Sequence, residues 1–191
     1  MRHSFQPKFN SPVCSILTGC GPHFCLKLPF TLARQAFRSM SSLQLQPNEV
    51  THTALLRAFL QAKQLPEAER LADRRLNLVG YTLLLDAYAR SGKKAKAELA
   101  FQSLCSKGLV PNLATYTALM KAYAKARDLQ GAEAVMRRLQ DQGLEPDVRT
   151  YLTLISAHAQ AGSLARAEEL FKEQGQPSMV SATALISAYG R

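Results

Sequence analysis

Apolar side chains recur at helical spacing along most of the chain. In residues 113–125, Tyr116, Leu119, Met120 and Tyr123 follow the i, i+3, i+4, i+7 pattern of a helix with one apolar face. A second apolar stripe of the same period follows after a short polar segment, so the region is predicted to form two helices joined by a turn. Because no segment alternates apolar and polar residues over the length of a strand, the sequence predicts an all-α protein.

This pair of helices is repeated along the chain at a fixed interval. Stacked pairs can cover the apolar faces that one pair alone leaves exposed, so the repetition predicts a right-handed α-solenoid, a superhelix of helix–turn–helix units with nearest-neighbour contacts. The positions that recur at steps of 35 residues are Tyr81, Tyr116 and Tyr151; Tyr88, Tyr123 and His158; Ala97, Ala132 and Ala167; Gly108 and Gly143; and Pro111 and Pro146.

Hydroxyl side chains stand near the start of four of the five predicted first helices, where an N-cap accepts backbone N–H bonds. These hydroxyls predict the caps of four helices, and Gly80 at the same position predicts a weaker cap for one more. A small alanine in each second helix lets the two helices approach closely. The four residues predicted as N-caps are Thr51, Thr115, Thr150 and Ser181.

The balance of charge favours a phosphate-bearing partner. The chain of 191 residues has 24 Lys and Arg against 14 Asp and Glu, a formal net charge of +10. Neutralised phosphates release condensed counterions, which drives such binding. Residues 1–48 hold five of the basic residues and no acid. Within them, residues 1–30 are typical of an organellar transit peptide, with a disordered leader or a wrongly chosen start as the alternatives.

The cysteines predict neither a metal site nor a disulfide framework. Cys14, Cys20 and Cys25 lie in the leader without the spacing of zinc ligands, and His23 does not complete a set. Cys105 stands alone in a helical pattern and is expected to be a small buried apolar residue. We expect no cofactor and, because no apolar run approaches the ~20 residues of a membrane span, no membrane partner.

The repeated words resemble the pentatricopeptide repeat (PPR) family. "ATYTALMKAYAKARDLQGAEAVMRRLQDQGLEPD" in residues 114–147 and "RTYLTLISAHAQAGSLARAEELFKE" in residues 149–173 follow its pattern nearly throughout. A tetratricopeptide unit would instead have a small glycine where this chain has Leu85, Met120 and Ile155. Aligned on the resemblance, the units are 49–77, 78–112, 113–147 and 148–178, after half a unit at 31–48 and before a truncated unit at 179–191.

The short units 49–77 and 148–178 resemble variants of the family branch associated with organellar RNA editing, and they equally fit degenerate units of the plainer branch. The truncated last unit leaves an apolar face, formed by Leu185, Ile186 and Tyr189, without a capping helix. The sequence is therefore expected either to be a fragment or to self-associate through its uncapped C-terminal end.

The resemblance implies single-stranded RNA binding, with one nucleotide for each unit, in a chloroplast or mitochondrion. RNA exposes base edges that hydrogen-bonding side chains can read. The implied role is that of an adaptor in mRNA processing, stabilisation, splicing, translation or editing, alongside other RNA-processing proteins. The alternative is a protein-binding α-solenoid scaffold. We do not expect an enzyme, since the H-x-E and P-C-x-x-C signature of the zinc deaminases is missing.

The resemblance also implies which side chains contact the RNA. The fifth and last residues of each unit are expected to read the base, the second to clamp it, and the thirteenth to contact phosphate. Because Leu152 has no hydrogen-bonding group, the fourth unit is expected to be weakly specific, and the predicted RNA is A-A-G-N. The base-reading pairs are Thr53 with Asn77, Thr82 with Asn112, Thr117 with Asp147, and Leu152 with Ser178; the clamps are Val50, Val79, Ala114 and Arg149; the phosphate contacts are Arg90 and Lys125.

Overall fold

The computed structural model describes residues 30–42, 44–72, 76–175 and 178–190, and helices are the only regular structure within those ranges. The predicted transit peptide lies outside them. The helices, in chain order, are α1 (Phe30–Ser42), α2 (Glu49–Gln61), α3 (Leu65–Ala72), α4 (Leu78–Arg90), α5 (Lys94–Ser106), α6 (Leu113–Lys125), α7 (Leu129–Asp141), α8 (Val148–Ala161), α9 (Leu164–Glu173) and α10 (Met179–Tyr189).

The helices form two layers, which we call the first helices (α2, α4, α6, α8, α10) and the second helices (α1, α3, α5, α7, α9). Each first helix packs against the first helix of the next unit, so these form a continuous row. From α3 to α9, each second helix packs between the first helices of its own and the following unit. Neighbouring second helices in this part of the described chain meet only through long charged side chains, without close backbone packing. The more closely spaced first helices therefore form the inner layer. This arrangement confirms the predicted all-α repeat solenoid.

A single apolar core runs through the stack. The residues that recur along the repeat fill it: Tyr81 and Tyr116 are buried, and Ala97, Ala132 and Ala167 are completely buried. An alanine leaves room for the neighbouring helix to approach, as the sequence predicted. The core residues that are less than 2% exposed are Tyr81, Leu56, Leu84, Leu85, Leu104, Leu119, Met120, Leu139, Leu154, Ile155, Leu170 and Val135, without counting alanines.

The predicted N-caps are wrong by three residues. The caps of the first helices α2, α4, α6, α8 and α10 are the residues just before them, and each accepts a hydrogen bond from the backbone N–H three positions on. Thr51, Thr115, Thr150 and Ser181 are those third residues, and Gly80 N–H is bonded in the same way as the others. Helix α4 therefore keeps a full cap. The cap residues are Asn48, Asn77, Asn112, Asp147 and Ser178.

Two further expectations about burial are corrected by the structure. Cys105 is exposed rather than buried, because its position in α5 faces away from the neighbouring first helices. In α10, Leu185 is buried at 7% exposure, whereas Ile186 and Tyr189 are 71% and 55% exposed. The expected uncovered face of this helix therefore consists of Ile186 and Tyr189 without Leu185.

Ion pairs connect the second helices to elements of the following unit. Glu69 Oε1 lies 2.7 Å from Lys96 Nζ, and Glu98 accepts hydrogen bonds from Tyr123 and Arg138. Glu133 Oε1 lies 3.0 Å from both Arg166 Nε and His158 Nε2. The structure therefore places all three carboxylates between neighbouring units.

The contacts of Glu133 with Arg166 and His158 predict that acid weakens the boundary between these two units. Burial raises the pKa of this carboxyl, but hydrogen bonds and charge from Arg166 and His158 outweigh burial and lower the pKa below its usual 4.5. A carboxyl with a lowered folded-state pKa stabilises the fold above its unfolded pKa, and the contribution disappears as the pH falls through the folded value. We therefore expect the melting temperature of the wild type to fall more steeply than that of Glu133→Gln as the pH drops below 4.5.

Thermal melts followed by circular dichroism from neutral to acid pH would measure this difference. Glu145→Gln is the matched control, because Glu145 is exposed and has no hydrogen bond or ion pair within the described part of the chain. Equal acid slopes for the wild type and Glu133→Gln would contradict the prediction.

Candidate nucleic-acid interface

The last residues of the units, predicted to read bases, are the N-caps of the next first helices. Asn77 Oδ1 accepts from Gly80 N–H at 2.9 Å, and Asn112 Oδ1 accepts from Thr115 N–H at 3.0 Å. Asp147 Oδ1 accepts from Thr150 N–H at 2.7 Å. Each cap therefore has one side-chain atom fixed against the helix and a second one, Nδ2 or Oδ2, with no hydrogen-bond partner among the described residues.

The fifth residues of the first three units point their hydroxyls toward the same cap side chains. Thr53, Thr82 and Thr117 each donate to the backbone carbonyl four residues earlier, at 2.8, 2.8 and 2.7 Å. Thr53 Oγ1 also lies 3.1 Å from Asn77 Oδ1, so the two predicted base-reading residues of the first unit are in direct contact.

In the next two units a third hydroxyl lies between the predicted pair. Thr115 Oγ1 lies 3.2 Å from Thr82 Oγ1 and donates to Asn112 Oδ1 at 2.8 Å. One unit further, Thr150 Oγ1 lies 3.1 Å from Thr117 Oγ1 and donates to Asp147 Oδ1 at 2.6 Å. The predicted pairs are thus brought together, but through the third residue of the following unit. We call each of these bridging hydroxyls a relay threonine.

Exposure differs along the predicted reading positions. Asn112 and Asp147 are exposed, whereas Thr117 is buried with 4% of its surface accessible. Leu152 is half-buried, and Ser178 forms a reciprocal cap with Ser181, so the fourth pair is not joined by hydrogen bonds. The side chains that can be approached from solvent are therefore the caps, with the threonine hydroxyls set behind them.

All four predicted clamp positions are exposed beside the caps. Val50 and Val79 are 70% and 53% exposed, which is unusual for valine, and Ala114 and Arg149 are also exposed. They lie in the first turn of their helices, two residues after each cap. None of the described residues covers these four side chains, so they are available to contact a planar ligand.

A groove of about 650 Å³ runs across the first helices α4, α6 and α8. Four cations line it, Arg90, Lys121, Lys125 and Arg149, against a single acid, Asp86. Asp86 Oδ2 lies 3.6 Å from Arg90 Nε, so the negative charge of Asp86 is already partly balanced. The other three cations form no ion pair within the described part of the chain, and the groove therefore attracts anions.

The groove unites part of the predicted site and adds one residue to it. It contains the predicted phosphate contacts Arg90 and Lys125, the clamp Arg149, and Leu152. Thr82, Asn112, Thr117 and Asp147 lie outside its lining, at the starts of the same helices. Sequence reasoning missed Lys121, although it lies one helical turn before Lys125 and residues four apart share a helix face.

The outer layer has a comparable groove of about 600 Å³ between α3 and α5, but its charges are largely paired. Lys96 is bound to Glu69, and Arg70 lies 3.4 Å from Glu67. Lys107 stands over the ring of Tyr81, with its Nζ 5.3 Å from the ring centre. Of these two grooves, the one on the first helices therefore has more positive charge without a carboxylate partner.

The described ranges contain neither a group of metal ligands nor a membrane-spanning helix. No group of three or more His, Cys, Asp or Glu side chains in them is placed to hold a metal ion. None of the helices described has the length and apolar character needed to cross a bilayer.

Family models match a large part of the chain. The model described as "PPR repeat family" matches residues 76–125 and 111–160, and the model described as "PPR repeat" matches residues 149–173. Together they cover residues 76–173, just over half of the chain. A search of curated proteins finds no match.

Solved structures with the same fold include RNA complexes. The chain is 26% identical to the pentatricopeptide repeat protein PPR10 from maize, with a TM-score of 0.64, over 83% of this chain and 24% of that one. PPR10 in complex with an 18-nt psaJ RNA element gives a TM-score of 0.67 at 23% identity, over 93% of this chain and 31% of that one. This chain therefore spans at most about a third of the PPR10 chains.

A third similar structure comes from a different kind of protein. The PPR domain of Arabidopsis thaliana protein-only RNase P 1, solved in complex with tRNA, gives a TM-score of 0.63 at 20% identity, over 74% of this chain and 80% of that domain. At this level of identity, the likeness shows a shared fold only.

Proposed function

Since the chain belongs to the pentatricopeptide repeat family, we propose that it binds single-stranded RNA along its first helices, with one nucleotide for each unit. The observation that carries the proposal is the groove lined by Arg90, Lys121, Lys125 and Arg149, on the same helices that begin at the exposed caps Asn112 and Asp147. A positive groove attracts the RNA backbone, and side chains set at regular spacing can contact successive bases. The complex of PPR10 with RNA supports the same use of the fold.

The caps supply chemistry that distinguishes bases. In Asn77 and Asn112 the side-chain oxygen is held by a backbone N–H, so the amide nitrogen, a donor, faces outward. In Asp147 the outward atom is a carboxylate oxygen, which only accepts. An outward donor suits the unprotonated ring nitrogen of adenine, whereas an outward acceptor suits the ring N–H of guanine.

The proposed RNA is therefore A-A-G-N, read 5′ to 3′ from the unit at 49–77. The pairs Thr53 with Asn77 and Thr82 with Asn112 would each take adenine, and Thr117 with Asp147 would take guanine. Leu152 offers no hydrogen bond, so the unit at 148–178 would accept any base. The exposed second residues Val50, Val79, Ala114 and Arg149 would clamp the bases, and the guanidinium of Arg149 would also meet a phosphate.

A binding experiment tests this assignment directly. We expect an A-A-G RNA to bind about tenfold more tightly than its A-A-A counterpart, because a mismatched contact costs about 1–3 kcal/mol in related recognition by hydrogen bonding. Fluorescence anisotropy with labelled oligonucleotides at fixed salt would measure both affinities. The variant Asp147→Asn keeps the helix cap and should reverse the preference.

Equal binding of the two RNAs by the wild type would contradict the assignment of Thr117 and Asp147. Asp141→Asn is the control for Asp147→Asn, because Asp141 is an exposed carboxylate at the end of a second helix and should leave the preference unchanged.

We further propose an organellar role as an adaptor rather than an enzyme. The basic, acid-free segment 1–30 supports a chloroplast or mitochondrial address, and import of a fluorescent fusion would test it. The step served could be processing, stabilisation, splicing, translation or editing. Other RNA-processing proteins would then act on the bound transcript.

The alternative role, a protein-binding scaffold, predicts no salt-sensitive RNA binding and so is separated by the same titrations. Self-association through Ile186 and Tyr189 also stays a prediction. Light scattering at rising concentration would detect it, and a constant monomer mass would contradict it.

A further inference from the structure

The relay threonines are buried where RNA cannot contact them. Thr115 and Thr150 have no accessible surface, yet each lies between two side chains proposed to read one base. Both belong to the unit that follows that base-reading pair. A buried hydroxyl that links two functional side chains can affect recognition only by controlling their position and their protons.

We infer that Thr115 and Thr150 are positioning residues that set the base selectivity of the unit preceding their own. The inference rests on the proposed function, since it concerns how the proposed base readers are held. On this reading, three side chains determine selectivity at these two units: the fifth residue, the last residue, and the third residue of the next unit.

The protons at the third unit show how the relay works. Thr117 and Thr150 have one hydroxyl proton each, and three acceptors compete for them: Leu113 O, Asp147 Oδ1 and the neighbouring hydroxyl oxygen. The ionised carboxylate is the strongest acceptor, so it takes the proton of Thr150 at 2.6 Å. Thr117 can then share its one proton between Leu113 O at 2.7 Å and Thr150 Oγ1 at 3.1 Å, and the Thr117 oxygen keeps lone pairs for a ligand.

With the protons placed in this way, the Thr117 oxygen and Asp147 Oδ2 are both hydrogen-bond acceptors. They match guanine, whose Watson–Crick edge carries two neighbouring donors. Thr117 would accept from the exocyclic amine, and Asp147 Oδ2 from the ring N–H. At the second unit the acceptor is the neutral amide of Asn112, which draws the proton of Thr115 less strongly than a carboxylate would. Thr115 therefore fixes the position of the Asn112 side chain more than it fixes the direction of the hydroxyl protons.

The relay also fixes the side-chain torsions of the cap. Asp147 Oδ1 accepts from Thr150 N–H at 2.7 Å and from Thr150 Oγ1 at 2.6 Å, and two bonds to one oxygen define where Oδ2 points. Without the hydroxyl, one bond remains and the carboxylate can rotate about it. Such loosening weakens discrimination between bases more than it weakens attraction to the backbone.

The other boundaries between units show that the relay is not required by the fold. Gly80 stands at the relay position after the first unit, and Thr53 there reaches Asn77 directly at 3.1 Å. Ser181 stands at that position after the fourth unit and binds Ser178, but Leu152 gives it no hydroxyl to join. Helices α4 and α10 form in both cases.

The test compares Thr150→Val, which removes the hydroxyl but keeps the branched shape and the backbone N–H, with Thr150→Ser, which keeps the hydroxyl. Affinities are measured for A-A-G, A-A-A and A-G-G oligonucleotides. We expect Thr150→Val to remove most of the roughly tenfold preference for guanine over adenine at the third nucleotide, through loss of a hydrogen bond to a charged group. Its preference at the second nucleotide should not change, and Thr150→Ser should behave as the wild type.

Thr115→Val provides the mirror experiment. It should reduce selectivity at the second nucleotide and leave the third unchanged. Thermal melts of each variant separate this effect from a loss of stability. If Thr150→Val does not fold, Thr150→Ala takes its place, with Thr150→Ser again as the variant that restores the hydroxyl.

The outcomes separate the positioning role of the relay threonines from the proposed RNA-binding function. Wild-type selectivity in Thr150→Val, or an equal loss of affinity for every oligonucleotide, would overturn the inference and leave the proposed function standing. A wild type that binds none of the RNAs would overturn the proposed function, and the inference with it.

Discussion

Replacing Lys121, Lys125 and Arg149 by glutamine together is expected to weaken binding to single-stranded RNA about a hundredfold at about 0.1 M salt. Each phosphate neutralised on a single strand contributes about 0.7 to the slope of log K against log salt, so three lost contacts lower that slope by about 2. The three side chains line the groove and have no carboxylate partner within the described part of the chain. Titrations at several salt concentrations would give both the affinity and the slope.

The matched control removes the same charge from the second helices and their ends, as Lys107, Arg137 and Lys172→Gln. This control should lower affinity only slightly, because these cations lie away from the groove. A salt slope unchanged by the first variant, or lowered equally by both, would show that the groove does not hold the RNA backbone. Arg90→Gln alone should have a smaller effect, because Asp86 already lies 3.6 Å from Arg90.

Leu119→Ala is expected to lower the free energy of unfolding by about 2–5 kcal/mol, the usual cost of removing a large buried side chain and leaving a cavity. Leu119 is completely buried in α6, the first helix at the centre of the stack. Folded domains have a total stability of about 5–15 kcal/mol, so the loss would be a large fraction of it. Chemical denaturation followed by circular dichroism would measure the change.

Leu99→Ala is the control for this cavity, because Leu99 is 62% exposed on the outer layer and should change stability by less than about 0.5 kcal/mol. In a solenoid each unit contacts only its neighbours, so the damage from Leu119→Ala should be greatest at α4, α6 and α8. Hydrogen exchange would show whether protection is lost there first. Equal destabilisation by the two leucine variants would argue against the central core described above.

The solenoid could be predicted from the sequence because every unit must fill the same core positions and make the same close helix contacts. Tyr81 and Tyr116 fill equivalent core positions, and the alanines between them allow equivalent close contacts. Caps were harder to assign, since Asn112 and Thr115 both have side chains that can accept from a backbone N–H. Only the positions of the helix starts show that Asn112 is the cap and Thr115 its third residue.

The candidate site could be predicted in part. Arg90, Lys125 and Arg149 lie in one groove, as regular spacing on successive helices requires. The relay contacts were not predictable, because Thr117 and Thr150 are 33 residues apart and their hydroxyls meet only once two units are stacked. The burial of Thr117 was missed for the same reason, since it comes from the neighbouring unit.

The position of Asn77, Asn112, Asp147 and Ser178 as helix caps has a consequence for how such a protein can evolve. A residue there must accept a backbone N–H, and few side chains do so well: Asn, Asp, Ser and Thr. Any substitution that changes the preferred nucleotide must also keep the next helix started. Selection for a new RNA target is therefore restricted to the few residue types that cap helices. A substitution to any other type would lower the stability of the fold before it could produce a new base specificity.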